Sequence, residues 1–241
     1  YKLYWFMKRK PEIFREARYF LFCKDYLLWK SGLTKEPHID LATASGGGVV
    51  NLKKLKYSEK VLNLLGVDET RFPRLCEGGK SLDIVPSNAG REYGFSPDTK
   101  IVLATFDGAA QNFGLGLTEK GTVLNIGTTG VVRKLSRRIV LDKSLEMRFF
   151  TYYAANGLYA LGGASNSGGD CLRWFRDNFG QMETLAGSMT GRDSYSFLDL
   201  EAEKASPGSE GLVFLPFLTG ERFPYRDPNL KGAFIGFTRG C

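Results

Sequence analysis

Histidines and closely spaced cysteine pairs are scarce in this sequence of 241 residues. The only histidine is His38, which excludes a zinc site built on several histidines. A Ser-His-Asp triad could use only His38, and no nucleophile elbow accompanies it. The cysteines form no CxxC pair, and their long spacing fits neither a zinc site nor a disulfide framework. We therefore expect reduced thiols at Cys23, Cys76, Cys171 and Cys241.

Long apolar runs and targeting signals are absent as well. No apolar stretch approaches the roughly 18 residues that a membrane-spanning helix needs. No secretory signal is visible near the first residues. Together with the expected free thiols, these absences predict a cytoplasmic protein that has no membrane partner.

An excess of acidic residues is also lacking, since 33 Lys and Arg outweigh 26 Asp and Glu and give a net charge of +7. A basic protein can bind nucleic acid, a membrane surface or a phosphate-bearing small molecule. The basic runs, such as Lys8–Lys10 and Arg137-Arg138, are short, and no DNA- or RNA-binding motif is present. We interpret these charges as solvated surface and expect no nucleic-acid partner.

What is present describes an ordinary globular chain, with 43% hydrophobic and 24% charged residues, which excludes a mostly disordered protein. In the first half, Pro11 and the residues after it predict a helix with proline in its first turn. Ser58 and Gly66 predict the two ends of another helix. The segment 73–79 reads as a connection, 45–48 as a flexible turn and 100–106 as a buried strand.

The second half predicts antiparallel hairpins between helices. One hairpin is expected over 122–135 and another over 149–161, the latter turning at the favoured pair Asn156-Gly157. Helices are expected over 168–179 and 183–206, the second with a break near Gly191. A buried strand is expected at 212–215, where the run is apolar, and another element from residue 233. The element order is mixed α/β.

Two short motifs in the first half could carry chemistry. Gly79-Lys80-Ser81 matches the end of a phosphate-binding P-loop, but Arg74 stands where that pattern needs a glycine, so we reject it. Asp107 follows an apolar strand and precedes Gly108, a position typical of active-site carboxylates in α/β sheets. Asp-Gly is also the most common dipeptide of plain turns, and the local sequence alone favours the turn while leaving catalysis open.

Glycine-rich segments in the second half are candidates for ligand binding. The amides and two hydroxyls of Gly127–Gly130 could cradle a phosphate, or the segment could be a simple hairpin turn. The run 162–169 opens a helix and could bind an anion or allow close packing, but it lacks the GxGxxG spacing of dinucleotide sites. The loop 220–228 could bind a ligand or be a surface loop held by its own ion pairs.

Taken in order, seven segments resemble the FGGY carbohydrate kinases, which are ATP-dependent sugar and polyol kinases. The match extends over nearly the whole chain, and the segment 211–238 is similar almost residue by residue. The matching segments are Lys2–Phe6 (K-L-x-W), Lys24–Leu27 (K-D-Y-L), Asp40–Asn51 (D-x-x-x-A-S and the following residues), Phe106–Gly108 (the family's catalytic Asp), Asn125–Gly130 (L-G-T-S-G), Gly162–Asp177 (G-G-x-x-x-x-G-x-x-L-x-W-x-x-D) and Gly211–Thr238 (G-L-x-F-L-P-Y-L-x-G-E-R-x-P and the following residues).

The resemblance implies an α/β protein with the actin-like ATPase (ribonuclease H-like) fold, in which two lobes are both incomplete. Residues 1–110 would form the second half of an N-terminal sugar-binding domain, and 111–241 the first half of a C-terminal ATP-binding domain. The family's D-x-G-T motif is not in this sequence, and its adenosine-binding segment lies beyond the counterpart of Gly236. We therefore expect the central part of a kinase, inactive on its own.

The resemblance also implies in-line phosphoryl transfer from ATP, with Mg²⁺ as the metal and Asp107 as the general base. The expected partners are a small sugar or sugar acid and ATP, and a homodimer is a further expectation. No residue is assigned to a metal. Substrate contacts are expected from Asp107, Gly108 and Asn112, and nucleotide contacts from Gly127, Thr128, Thr129, Gly130, Gly169 and Arg173.

Substrate choice depends on the residue after the expected base. Glycerol and xylulose kinases usually have Gln there, whereas this chain has Gly108, and its spacing to Asn112 resembles the gluconate kinases of the family. This favours gluconate or a related sugar acid, with xylulose or another polyol or ketose as the alternative. A non-catalytic nucleotide-binding module of the same fold is the alternative outside enzymes.

Overall fold

Two groups of residues form separate compact units in the computed structural model, which describes residues 2–84, 87–144 and 146–239. The first unit comprises residues 1–121, 134–140 and 151–161, and the second comprises 122–133, 141–150 and 162–241. The predicted thiol at Cys241 lies outside the described residues, whereas Cys23, Cys76 and Cys171 are free. None of the described helices has the length and apolar character required to cross a membrane.

The first unit begins with helices and continues with short strands. Its helices are α1 (Lys2–Arg9), α2 (Pro11–Glu16), α3 (Cys23–Lys30), α4 (Leu41–Gly46), α5 (Glu59–Leu65), α6 (Ser87–Tyr93) and α7 (Asp107–Gly114), with a 3₁₀ turn at Glu69–Arg71. Its strands up to residue 121 are β1 (His38–Asp40), β2 (Val50–Asn51), β3 (Lys56–Tyr57), β4 (Arg74–Cys76), β5 (Ser81–Ile84) and β6 (Lys100–Val102).

Local sequence signals fix several of these helix ends. Helix α2 starts at Pro11, whose fixed φ suits the first helical turn. Gly66 ends α5 in the left-handed conformation at φ 64°, which a residue without Cβ adopts freely. The Asp40 carboxylate accepts the N–H of Thr43 and thereby caps α4. The predicted helix between Ser58 and Gly66 is confirmed.

The strands of the first unit pair over long sequence distances. β1 and β4 are parallel, with Ile39 opposite Leu75, while β2 pairs with β3 and β5 pairs with β6 in antiparallel fashion. Ile39 lies in a core with Val50, Leu62 and Phe72, and burial of this apolar surface is the main force that holds the pair.

The hairpins of the second half are confirmed. They form a four-stranded sheet in the order β7-β8-β10-β9. Asn156 and Gly157 turn with φ values of 51° and 72°, the positive values that this hairpin turn requires. The strands are β7 (Val123–Ile126), β8 (Gly130–Ser136), β9 (Phe150–Ala155) and β10 (Leu158–Ala164).

The second unit continues with helices and a short strand pair. The predicted helices are confirmed, with the break at Gly191, where φ is 71°. Strand β11 pairs in antiparallel register with β12. The elements are α8 (Asp170–Asn178), α9 (Gln181–Thr190), α10 (Ser194–Ala202), a 3₁₀ turn at Ser209–Gly211, β11 (Val213–Leu215) and β12 (Ala233–Ile235).

Four local predictions are wrong in part. The segment 73–79 contains β4 rather than only a connection, because its pairing partner β1 lies far away in the sequence. The strand predicted over 100–106 ends at Val102. The turn predicted over 45–48 starts later, since α4 continues to Gly46. The strand near residue 213 is not fully buried, because Val213 is 50% exposed.

Candidate active site

Asp107 is the first residue of α7 and lies at the surface of the first unit. Its Oδ1 accepts the N–H of Gly108 at 2.7 Å. Among the described residues, no basic side chain forms an ion pair with it. An exposed carboxylate that is not neutralised by a cation can accept a proton from a substrate hydroxyl.

The residues around Asp107 are held firmly. Before it, the carbonyl of Leu103 accepts the N–H of Gly79 at 2.7 Å, and the Thr105 hydroxyl donates to the carbonyl of Ala154 at 3.0 Å. After it, Ala109 is fully buried in a cluster that also contains Leu135 and Ala154. The carboxylate is therefore presented by a segment whose neighbours on both sides are fixed.

Asn112 lies on the buried face of the same helix, one turn after Gly108. It is 0% exposed, and in the described part of the chain neither its side-chain oxygen nor its side-chain nitrogen has a hydrogen-bond partner. A buried amide without partners costs about 1–3 kcal/mol, so its presence calls for an explanation. The structure thus encloses Asn112, whereas Asp107 lies at the surface.

A second set of polar contacts near this segment is not marked by any sequence motif. The Tyr153 hydroxyl lies 2.8 Å from Glu77 Oε1 and donates to that carboxylate, which also accepts the N–H of Asn156 at 3.1 Å. The same hydroxyl accepts the N–H of Gly157 at 3.1 Å. Burial, with a contribution from Glu77, raises the pKa of Tyr153 to about 12. This pair fixes the tip of the β9–β10 hairpin.

In the second unit, the turn Gly127–Gly130 joins β7 to β8. Its carbonyls accept hydrogen bonds from backbone N–H groups of the protein. The carbonyls of Gly127 and Thr128 accept the N–H groups of Gly169 and Gly168 at 2.7 and 2.8 Å. The Thr129 carbonyl accepts the N–H of Gly127 at 3.0 Å. Within the described ranges, the amides and hydroxyls of Thr128 and Thr129 donate no hydrogen bond to protein. These donors can therefore bind an anion.

Close backbone contact explains the glycines on both sides of this turn. A Cβ on Gly168 would lie 2.5 Å from the backbone nitrogen of Gly130, and one on Gly169 would lie 2.9 Å from the carbonyl oxygen of Gly127. Both distances are shorter than non-bonded atoms tolerate, so larger residues would push the two loops apart. The run 162–169 therefore packs closely against the turn.

The remaining predicted nucleotide residue is Arg173, which is exposed on α8, one turn after Gly169. The structure thus brings Gly127, Thr128, Thr129, Gly130 and Gly169 together and leaves Arg173 exposed on the following helix. In the part of the chain that the structure describes, no group of three or more His, Cys, Asp or Glu side chains is arranged to hold a metal ion.

Comparison with known families gives two matches that cover most of the chain. Residues 1–114 match the N-terminal domain of the FGGY family of carbohydrate kinases, and residues 123–240 match its C-terminal domain.

Individual relatives agree with these matches. The chain is 32% identical over 238 residues to the gluconokinase of Bacillus subtilis, a match covering 98% of this chain and 46% of that protein. It is 29% identical over 241 residues to the xylulose kinase of Lactococcus lactis, covering 98% of this chain and 45% of that protein. The chain thus spans about half the length of the curated relatives it matches.

Solved structures show the same relationship. The gluconate kinase of Lactobacillus acidophilus superposes with a TM-score of 0.85 at 32% identity, covering 99% of this chain and 46% of that one. The ligand-bound xylulose kinase of the same organism gives a TM-score of 0.84, also at 32% identity, with the same coverage. The predicted resemblance and the actin-like fold are confirmed: this chain belongs to the FGGY family of carbohydrate kinases.

Proposed function

We propose that the whole protein carrying this chain is a kinase that transfers the γ-phosphoryl group of ATP to a hydroxyl of a sugar or sugar acid, with gluconate favoured. The observation that supports this most strongly is Asp107, an exposed carboxylate without a cationic partner among the described residues, on a firmly held segment. Family membership supplies the reaction class, and this carboxylate supplies the group the reaction needs.

In the proposed step, the substrate hydroxyl oxygen attacks the γ-phosphorus in line with the bond to ADP. The new P–O bond forms as the bond to the leaving ADP oxygen breaks, and the hydroxyl proton passes to the Asp107 carboxylate. Position and charge neutralisation matter more than covalent help from the protein in this chemistry.

The phosphates of the nucleotide would lie against the turn Gly127–Gly130. Support comes from the Thr128 and Thr129 amides and hydroxyls, which have no protein partner in the described ranges. Mg²⁺ would enter with the phosphates and neutralise part of their charge. Gly169 would lie beside the nucleotide, and Arg173, on the helix that follows Gly169, is the exposed cation assigned to it.

Gluconate is favoured because Gly108 offers no side chain where related glycerol and xylulose kinases usually have Gln. Asn112 would contribute to substrate selection from the buried face of α7, where its amide lacks partners among the described residues. Xylulose or another polyol or ketose is the alternative substrate. The homodimer, the cytoplasmic location and the domain division after residue 110 stay predictions.

The test is ADP release by the whole protein with ATP and Mg²⁺, measured in parallel with gluconate, xylulose, glycerol and ribulose. Turnover with gluconate alone supports the full proposal. Turnover only with xylulose or glycerol keeps the kinase and overturns the substrate assignment. ATP binding without turnover on any of the four favours the non-catalytic nucleotide-binding module.

A further inference from the structure

We propose that Glu221 and Arg222, in the loop after β11, are positioning residues for the phosphate-binding turn Gly127–Gly130. The proposal rests on the function proposed above and adds residues to which that function assigns no role. All residues involved belong to the second unit.

Glu221 is a buried carboxylate that bonds to backbone amides. It is 4% exposed, and its Oε1 accepts the N–H groups of Asn166 at 2.8 Å, Arg222 at 2.6 Å and Phe223 at 3.2 Å. Among the described residues, no Lys or Arg side chain forms an ion pair with it. Burying a carboxylate is costly unless hydrogen bonds replace its water, so this position requires an acceptor.

The loop that carries Glu221 is itself closed by backbone bonds. The N–H of Glu221 donates to the carbonyl of Asp227 at 2.8 Å, and the N–H of Asp227 donates back to Glu221 at 2.9 Å. Phe223 packs so closely on Gly163 that an added Cβ there would lie 2.4 Å from the ring. The backbone of Glu221 is therefore held in place while its carboxylate accepts the N–H of Asn166.

Arg222 holds the residues next to Asn166. Its Nε donates to the carbonyl of Ala164 at 2.8 Å, and its Nη2 donates to the carbonyl of Ser165 at 3.3 Å. The Asn166 side chain donates to the carbonyl of Thr219 at 3.2 Å. Consequently, three successive residues, 164 to 166, are each tied to the loop 219–222.

Ser165 links these residues to the turn through two hydrogen bonds. Its N–H donates to the Gly130 carbonyl at 2.8 Å, and its hydroxyl oxygen accepts the N–H of Gly130 at 3.1 Å. Gly130 directly follows Thr129, and the Thr128 and Thr129 donors, which have no protein partner in the described ranges, would meet the phosphates. Glu221 is therefore linked through Asn166 and Ser165 to Gly130, the last residue of the turn.

A positioning role follows from the precision that phosphate recognition needs. Donors must be held to within about 0.5 Å of their productive places, and a surface turn made of glycine and threonine does not hold them without support. Glu221 and Arg222 provide that support through directional bonds to three neighbouring residues. Their proposed role is to position the turn, not to contact the nucleotide.

The experiment compares Glu221→Ala, Glu221→Gln and Ser165→Ala in the whole protein, with Glu201→Ala as the matched control. Glu201 is an exposed carboxylate that pairs with Lys204, and among the described residues it forms no hydrogen bond to the turn. Two quantities are measured: hydrogen exchange of peptides that contain Gly130, without ligand, and the Kd for Mg·ADP.

We expect Glu221→Ala and Ser165→Ala to speed exchange at Gly130 and weaken Mg·ADP binding about tenfold, which corresponds to roughly 1.4 kcal/mol. Glu221→Gln should keep binding within about threefold, because an amide oxygen can accept the bonds that converge on Oε1. The double variant Glu221→Ala with Ser165→Ala should lose little more than either single variant, since both act on one path.

Two failures are distinguishable. If exchange at Gly130 in Glu221→Ala and Ser165→Ala equals that in Glu201→Ala, the positioning role is wrong, whatever the measured Kd for Mg·ADP. If exchange changes as expected but the unsubstituted protein does not bind Mg·ADP, the positioning path stands and the proposed function fails. Equal losses in Glu221→Gln and Glu221→Ala would also overturn the proposal, because rescue by the retained acceptor is its main requirement.

Discussion

Asp107 and the turn Gly127–Gly130 are held in place by different forces. The segment of Asp107 is fixed mainly by side-chain burial, since Leu103 and Ala109 on either side are at most 2% exposed. The turn is fixed by backbone bonds and by glycines that allow two loops to touch. Proton transfer needs one well-directed carboxylate, whereas phosphate binding needs several backbone donors at once. Substitutions at Asp107 should therefore impair proton transfer, whereas substitutions around the turn should impair phosphate binding.

The largest expected effect is on chemistry at Asp107. Asp107→Asn should lower kcat for the preferred sugar by at least ~10²-fold, as loss of a general base does. Thermal unfolding should stay unchanged, because the side chain is exposed. Asp98→Asn, another exposed carboxylate of the first unit, is the control and should keep full activity. Activity retained by Asp107→Asn would show that another group accepts the proton.

The next effect tests the glycine contacts of the turn. Gly168→Ala places a Cβ 2.5 Å from the Gly130 nitrogen, a backbone atom that cannot move away alone. We expect a loss of about 1–3 kcal/mol in the free energy of unfolding, typical of overpacking, and weaker Mg·ADP binding. Gly46→Ala is the matched control, because nothing lies within 4 Å of its added Cβ and its φ is not positive. Equal stability of the two variants would contradict the close-contact account.

A smaller effect concerns the tyrosine beside the segment of Asp107. Tyr153→Phe removes the hydroxyl bonds to Glu77 and Gly157 and should lower stability by about 1–2 kcal/mol at neutral pH. The folded state raises the pKa of Tyr153 from 10.0 to about 12. This contribution is therefore full below pH 10 and is lost as the pH rises from about 10 to about 12. Denaturant unfolding measured between pH 10 and 12 should show that the unsubstituted protein and Tyr153→Phe become closer in their free energy of unfolding. A difference that stays constant over this pH range would refute the prediction.

The smallest effect on stability is expected at Asn112, with the opposite sign. Asn112→Leu removes an enclosed amide that lacks partners among the described residues, so we expect unfolding to become about 1 kcal/mol less favourable. If Asn112 selects the substrate, kcat/KM should fall in the same variant. Stabilisation with unchanged kcat/KM would remove Asn112 from the substrate site.

The sequence carries clear signals for the features that depend on neighbouring residues. The turn Asn156-Gly157, the cap at Gly66 and the glycine turn at 127–130 each carry their signal within a few positions. The parallel pairing of Ile39 with Leu75 was missed, because it is decided by burial between distant segments. Strand β4 is too short to show a period of its own.

The candidate site likewise contains features with a local sequence signal and features that depend on distant residues. The local motifs at Asp107 and at the turn Gly127–Gly130 are equally compatible with plain turns, and their assignment to the site came from the family resemblance. The bonds from Tyr153 to Glu77 and from Glu221 to Asn166 join residues 76 and 55 positions apart, and no spacing rule predicts them. Assignment of Asn112 to the substrate came from a resemblance, and the sequence carried no sign that its amide is enclosed.

The role of Asp107 as general base is tested most directly by kcat and KM for gluconate, measured for the whole protein and for Asp107→Asn. We expect ADP release that depends on gluconate, a kcat lowered at least ~10²-fold by the substitution, and little change in Mg·ADP affinity. Gluconate-dependent turnover that survives the substitution would contradict the central role of Asp107.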